Sequence, residues 1–359
     1  MSQSIPKTMK ALRLTKFKEN YHLQSDVAVP TPGPKEILVR LVASGFCHTD
    51  HMVYEGAFKT KLPHIGSHEP TGKIAALGSD VAGDWKIGDQ VGVYLFKNAC
   101  GHCSGCKWHV KTYDGKLNAR YCFNQAMNGI VGADGGFSEY MVTSDDAIVR
   151  IPNAVPFDQS APLMCAGATV YNGLLEANLE KGQSVAIVGI GALGLLGIQF
   201  AKAMGYKVLA VSSRDLTPQL EGVVPKSLWP DLTLSSKDEH SAQRILNFTE
   251  GVGLDAAVVC TDNLDDNDWI LHRLRPRGTS VVLGLPGEPF RFDAINMTFH
   301  EITVKGALHA SVESMERMFE IVAEAGIKSQ LTVVKIDEAE NLPERSANHD
   351  YKGKLVVMI

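Results

Sequence analysis

From residue 30 to about residue 160 the chain alternates short apolar runs with clusters of turn-forming residues. EILVRLVASG (36–45), TGKIAALG (71–78) and GDQVGVYLF (88–96) are separated by PTPGP (30–34), GSD (78–80) and GDW (83–85). Short β-like runs between Gly/Pro turns predict an antiparallel, barrel-like domain. The pattern changes in the middle of the chain. Ser184–Val188 is an unbroken apolar run that ends in glycines, LGLLGIQFAKAMG (193–205) has helical spacing, and Lys207–Val211 returns to a strand pattern. DAAVVC (255–260) and TSVVLGL (279–285) are further apolar runs. Strand alternating with helix predicts a doubly wound parallel α/β sheet. The tail carries a helix-like stretch, ESMERMFEIVAEAG (313–326), and a closing strand, KLVVMI (354–359).

Length and charge narrow the function classes. With 359 residues the chain is expected to form about two domains. Its apolar runs fall short of the roughly 18 residues a membrane span needs, and MSQSIPKTMKALRL at the start has no apolar core of signal-peptide length. A cytoplasmic protein is expected. A net charge of −5 gives no drive towards nucleic acid or anionic membrane. Seven cysteines in such a chain point to metal rather than to disulfides.

Gly189-Ile-Gly191-Ala-Leu193-Gly194 fits the pattern GxGxxG and sits directly between a strand and a helix, the context a dinucleotide-binding turn requires. The first glycine makes the tight turn, the second lets backbone approach a pyrophosphate, and the third lets helix and strand pack closely. The alternative is a plain packing turn. The next strand ends Ala210-Val211-Ser212-Ser213-Arg214, with serine where NAD-binding proteins place Asp or Glu for the ribose 2′-hydroxyl. A carboxylate there would repel a 2′-phosphate, a serine hydroxyl can donate to one, and Arg214 can add a charge-assisted bond. The expected coenzyme is therefore NADP(H), although Asp215 is adjacent and partly offsets Arg214.

Cys100-Gly-His-Cys103-Ser-Gly-Cys106 is two overlapping CxxC pairs, and Cys122 lies downstream. Four thiolates suit a closed, tetrahedral, structural zinc site; His102 or His109 could replace one sulfur. Elsewhere Cys47 lies in GFCHTD, His68-Glu69 in GSHEP and Cys165 in MCAGAT. Each alone reads as an ordinary core or surface residue. Together they have the composition of a catalytic zinc site with one open position, but composition does not single them out.

GFCHTD, GSHEP, the CxxCxxC lobe, MCAGATVY, VGIGALG and the closing YKGKLVV resemble, in order and spacing, the zinc-dependent medium-chain alcohol dehydrogenases. The resemblance spans essentially the whole chain. It implies a GroES-like catalytic domain of residues 1–163 and 309–359, with a structural zinc lobe at 97–124. It also implies a Rossmann coenzyme domain of residues 164–308, and an active site in the cleft. It assigns Cys47, His68 and Cys165 to a catalytic zinc, and Cys100, Cys103, Cys106 and Cys122 to a structural one. Glu69 would enter the catalytic metal's sphere transiently, Asp50 would orient His68, and Thr49 would hydrogen-bond the substrate oxygen. His48 would contact coenzyme phosphate, Thr169 the nicotinamide side, and Lys354 would stand where many relatives carry a pyrophosphate-binding arginine. Dimers or tetramers are implied.

Three departures qualify it. The relay histidine of many relatives is Met52 here, and a thioether accepts no proton. His51 is the replacement candidate, but one residue early on a helix turns it by about 100°, so a modest role is expected. Fifteen residues separate Cys106 from Cys122 where relatives have seven; doubling a flexible loop costs only about 0.6 kcal/mol, so the structural site should survive. The VSSR segment resembles NADP-using branches, including cinnamyl-type and aldehyde reductases, which favours reduction of an aldehyde or ketone. Phe58, Leu95 and Phe96 are candidates to line an apolar substrate pocket, with core packing as the alternative. The competing functions are an NAD-linked alcohol dehydrogenase and a non-catalytic NADPH-binding relative. Retention of all three zinc ligands argues against the second. A zinc hydrolase would leave the glycine turn unexplained.

Overall fold

The computed structural model describes residues 4–113, 115–348 and 350–359; Met1–Gln3, part of the stretch read above for an apolar core, lie outside the described residues, as do Asp114 and His349. The chain folds into two compact units. One comprises Met1–Cys165, Ser311–Phe319 and Leu331–Ile359; the other comprises Ala166–Ala310 and Glu320–Gln330.

The first unit is β-rich. Its main sheet runs in the order Ile148–Arg150, Gln90–Val93, Glu69–Leu77, Glu36–Phe46, Lys354–Met358, Leu331–Lys335, with Tyr140–Ser144 also pairing Glu36–Phe46. All neighbours are antiparallel except the last two strands. The alternation in EILVRLV sets which face is buried. Ile37, Val39 and Leu41 lie two residues apart and join Ile74, Val91, Val93, Met141 and Ile148 in one core. Register makes this core continuous across strands: Met141 opposes Val39, and Val39 opposes Ile74.

The second unit holds a six-stranded parallel sheet in the order Leu232–Leu234, Lys207–Val211, Ser184–Val188, Leu254–Val259, Leu274–Val282, Thr303–Gly306. The earliest strand, Ser184–Val188, is central and every residue in it is buried. That is why it reads as an unbroken apolar run rather than an alternating one. Successive strands leave it first to one side and then to the other. This creates the point beyond the strand ends where doubly wound sheets bind their ligands. The fold class is the expected one, GroES-like β-rich plus Rossmann. Among the described residues no helix is long and apolar enough to cross a membrane.

Candidate active site and coenzyme site

The strand Glu36–Phe46 leads directly into the short helix His48–Tyr54, with Cys47 as its N-cap. Asp50, the third helical residue, is fully buried and reaches back so that one carboxylate oxygen accepts from Cys47 N at 2.8 Å. Its other oxygen accepts from Ser67 N at 3.1 Å and pairs with His68 Nδ1 at 3.1 Å. A carboxylate on Nδ1 fixes the tautomer and leaves Nε2 free for a metal. Cys165 comes from a π-helical turn, Leu163–Gly167, a distortion often found at functional sites.

Ligand atoms of Cys47, His68, Glu69 and Cys165 all lie within 4.8 Å of one another, and the two sulfurs are 3.9 Å apart. Two thiolates on one tetrahedral zinc would be about 3.8 Å apart at ordinary bond lengths, so the donor set fits that ion. A thiol hydrogen bond links the two sulfurs. Hydrogen bonding from Cys165 holds the Cys47 thiol well below its usual range, and the same bond pushes Cys165 up. Burial works against a charged His68, but Asp50 and Cys47 hold it well above the usual histidine range. Burial pushes the Glu69 carboxyl up to about 8 against the pull of Lys354.

Lys354 was expected on a pyrophosphate. Its Nζ lies 2.6 Å from Glu69 Oε1, and both side chains are buried. Glu69 Oε2 is buried without a hydrogen-bond partner. Gly45 sits opposite Glu69 in the sheet, and a Cβ there would fall on the Glu69 carboxylate. The glycine of GFCHTD is thus a requirement of the site that sequence reasoning missed.

Thr49 and His51 are half-buried on the short helix and His48 is exposed. His51 Nε2 faces Glu55 along its own helix at 3.9 Å, and its Nδ1 is buried and unpartnered. Phe58 is half-buried, while Leu95 and Phe96 are buried, with Phe96 edge-on to Tyr94.

The second cluster is local. Cys100, Cys103, Cys106 and Cys122 also have ligand atoms within 4.8 Å of one another. Backbone N–H groups surround the sulfurs: Cys122 Sγ accepts from Cys100 N and Asn124 N at 3.3 Å, and Cys103 Sγ accepts from Cys106 N and Phe123 N at 3.4 Å. Such donors favour thiolates. Backbone hydrogen bonds lower Cys100 to about 5, while burial pushes Cys106 up to about 12.

The group of close ligand atoms consists of the four sulfurs, with neither histidine in it. His102 Nδ1 meets the Cys100 carbonyl at 2.8 Å, and His109 is buried with Nδ1 on the Lys116 carbonyl at 2.8 Å. The first part of the lengthened segment is helical. Its helix Ser104–Thr112 packs Trp108 and His109 against Tyr113 and Tyr121, with ring centroids 4.7 to 6.1 Å apart.

In the second unit two of the three glycines are demanded by the geometry of the chain itself. Gly189 has φ +87°, and a Cβ there would lie 2.6 Å from Thr261 Cβ. Gly194 has the Gly189 carbonyl where its Cβ would be. Gly191, the N-cap of the helix Ala192–Ala203, would point its Cβ into open space. That leaves its backbone accessible to a pyrophosphate at a helix N-terminus. Leu193 is half-buried in the same first turn, and Thr169 is half-buried in the helix Ala168–Ala177.

Beyond the strand Lys207–Val211 a cavity of about 320 Å³ is lined by Ser212, Ser213, Ser236, Lys237, Asp266 and Trp269, among others. Arg214 is exposed and does not line it. Lys237, which the sequence reading did not single out, reaches this lining from a different turn, the one after the strand Leu232–Leu234.

Comparison with known proteins places these features in company. Residues 33–153 match the alcohol dehydrogenase GroES-like domain, and residues 192–324 match the zinc-binding dehydrogenase family. An alcohol dehydrogenase of Geobacillus stearothermophilus is 31% identical over 98% of this chain and 100% of its own length. The structure of a cinnamyl alcohol dehydrogenase from Sorghum bicolor matches with a TM-score of 0.80 and 26% identity over 98% of both chains. A cobalt- and zinc-bound thermostable alcohol dehydrogenase from Pyrobaculum aerophilum matches with a TM-score of 0.79 and 26% identity, over 98% of this chain and 100% of that one.

Proposed function

Because the chain belongs to the zinc-dependent medium-chain alcohol dehydrogenase family, we propose that it is an NADPH-dependent carbonyl reductase that converts an aldehyde or ketone into an alcohol. The carrying observation is the absence of a carboxylate at the end of the strand Lys207–Val211, where Ser212 and Ser213 line the cavity instead. An acidic side chain there would hydrogen-bond a ribose diol and repel a 2′-phosphate; the serines leave room for one. When bound, a zinc ion supplies a Lewis acid for the carbonyl oxygen and the nicotinamide supplies hydride.

The chain's own residues have distinct tasks in this proposal. Cys47, His68 and Cys165 hold the catalytic metal, and Glu69 is the carboxylate available beside it. Asp50 keeps the proton of His68 on Nδ1. The Thr49 hydroxyl donates to the substrate oxygen, and the proton reaches that side through water. His51 is not required, because its Nε2 is turned towards Glu55. Cys100, Cys103, Cys106 and Cys122 hold a structural zinc. Gly189, Gly191 and Gly194 seat the pyrophosphate, with His48 and Thr169 as further coenzyme contacts. The assembly is a homodimer or homotetramer.

The test is to titrate zinc-loaded protein with NADPH and NADH and compare dissociation constants by nucleotide fluorescence. Binding of NADPH about tenfold tighter or more is expected, the size of one charge-assisted bond. Equal or tighter binding of NADH overturns the coenzyme assignment and favours an NAD-linked alcohol oxidation.

A further inference from the structure

Sequence alone points to Arg214 as the cation for a 2′-phosphate, yet the cavity beside Ser212 excludes that side chain and includes another. Ser212 N donates to the Leu234 carbonyl at 2.9 Å, so the turns that follow the strands Lys207–Val211 and Leu232–Leu234 are tied together. Both turns line the same hollow: Ser212 and Ser213 come from one, Ser236 and Lys237 from the other. The Ser212 hydroxyl is engaged with the backbone of Arg214, accepting from its N–H at 3.1 Å and donating to its carbonyl at 3.0 Å. This closes the turn locally and leaves the guanidinium outside the cavity lining.

We propose that Lys237, not Arg214, is the coenzyme-specificity cation of this protein, reading the 2′-phosphate of NADP(H) beside the Ser213 hydroxyl and the turn that Ser212 closes. The inference rests on the NADPH assignment made above. The cavity lining carries it. Lys237 is the one cationic side chain lining the cavity among the described residues, and the same lining carries Asp265 and Asp266. A 2′-phosphate of nearly two negative charges entering a hollow with two carboxylates and only hydroxyls to meet it would be repelled. Lys237 offsets one of those two charges and supplies the lining's one cation for a direct charge-assisted bond to the phosphate.

The aspartates are themselves accounted for. Both lie in the first turn of the helix Leu264–Leu271, where the helix dipole favours negative charge. Asp266 also accepts from the Ser236 hydroxyl at 2.5 Å. Lys237 makes no ion pair with a described residue, and its backbone is fixed by donation from its N–H to Ser235 Oγ at 3.2 Å. Trp269, half-buried on the same wall, supplies apolar surface for an adenine.

The experiment compares wild type, Lys237→Gln, Lys237→Arg and Arg214→Gln as full-length, zinc-loaded proteins, titrating each with NADPH and with NADH. K237Q should weaken NADPH by roughly ten- to hundredfold, the equivalent of one charge-assisted hydrogen bond. NADH should stay within about twofold of wild type, which excludes a general loss of structure. K237R should retain most of the NADPH preference, because charge rather than shape is at stake, and R214Q should leave it within about threefold. If wild type prefers NADPH and R214Q abolishes that preference while K237Q does not, the Lys237 assignment fails and the coenzyme assignment stands. If wild type shows no preference for NADPH, both fail together.

Discussion

Cys100, Cys103, Cys106 and Cys122 come from one stretch of chain. Cys47 and Cys165, by contrast, are 118 residues apart and meet only after a strand, a helix and a π-helical turn have formed around them. The local cluster has four sulfurs and a shell of backbone N–H donors, which suits a closed site that stabilises its lobe. The dispersed cluster mixes two sulfurs, an imidazole and a carboxylate, and its supports are side chains: Asp50 behind His68, Lys354 behind Glu69. A site supported by its own backbone is insensitive to the rest of the fold. A site supported by buried side chains from remote segments depends on all of them.

The largest expected contrast comes from removing one sulfur from each cluster. Cys165→Ser should lower turnover by at least about a thousandfold, because a Lewis acid contributes several kcal/mol. It should lower zinc from two atoms to about one per chain and move the melting temperature little. Cys103→Ser should also leave about one zinc, but with a marked drop in melting temperature, because a structural zinc contributes folding energy directly. Metal analysis and calorimetry on the same samples check both.

Next in size is the buried ion pair. Lys354→Met leaves the buried Glu69 carboxyl without its partner; already raised to about 8, that group is then neutral at pH 7, and the cost should be about 1–3 kcal/mol, that of an unsatisfied buried polar group. The double change Lys354→Met with Glu69→Leu should recover much of this in denaturant unfolding, since it removes the unpaired carboxyl. Asp50→Asn should weaken retention of the catalytic zinc by roughly ten- to hundredfold, the usual effect of losing the carboxylate behind a ligating histidine. Competition with a chromogenic chelator reads this directly, and the four-sulfur site should be unaffected.

A smaller effect lies outside both clusters. Asp255 accepts from Ser184 N and Oγ at 2.8 Å and pairs with Arg275 at 2.7 Å. Burial opposes its charge, but these partners hold its carboxyl below the usual range. Its stabilisation is therefore present above about pH 4 and is lost as pH falls through the depressed folded value. Asp255→Ala should cost about 1–2 kcal/mol at pH 7 and should flatten the acid limb of the stability curve, with the zinc content unchanged. The smallest effect is expected for His51→Ala, a change in turnover of less than about tenfold with a slightly shifted pH–rate profile. A hundredfold loss with zinc still bound would make His51 a working general acid–base group.

The same contrast explains what the sequence made legible. The parallel sheet, the glycine turn and the four-sulfur lobe were readable because each is written in neighbouring residues: an unbroken apolar strand, a fixed glycine spacing, two overlapping CxxC pairs. Cys47, His68 and Cys165 were named only through family resemblance, since no local pattern links them. The Lys354–Glu69 pair spans 285 residues, and its register across the sheet left no trace in either segment. Gly45 was invisible for the same reason, because its need for a bare backbone comes from a carboxylate on the adjacent strand. The lengthened lobe was read as loop, but its aromatic side chains pack well enough to order a helix there.

The most direct test of the two-cluster account is graded dialysis of the protein against a chelator. Zinc per chain, NADPH-driven reduction of an aromatic aldehyde and thermal unfolding are followed on the same aliquots. The account predicts that activity vanishes with loss of one zinc from the side-chain-supported site while the melting temperature holds, and that loss of the second zinc then lowers the melting temperature. Activity that survives loss of the first zinc, or activity and melting temperature that fall in parallel throughout, would contradict it.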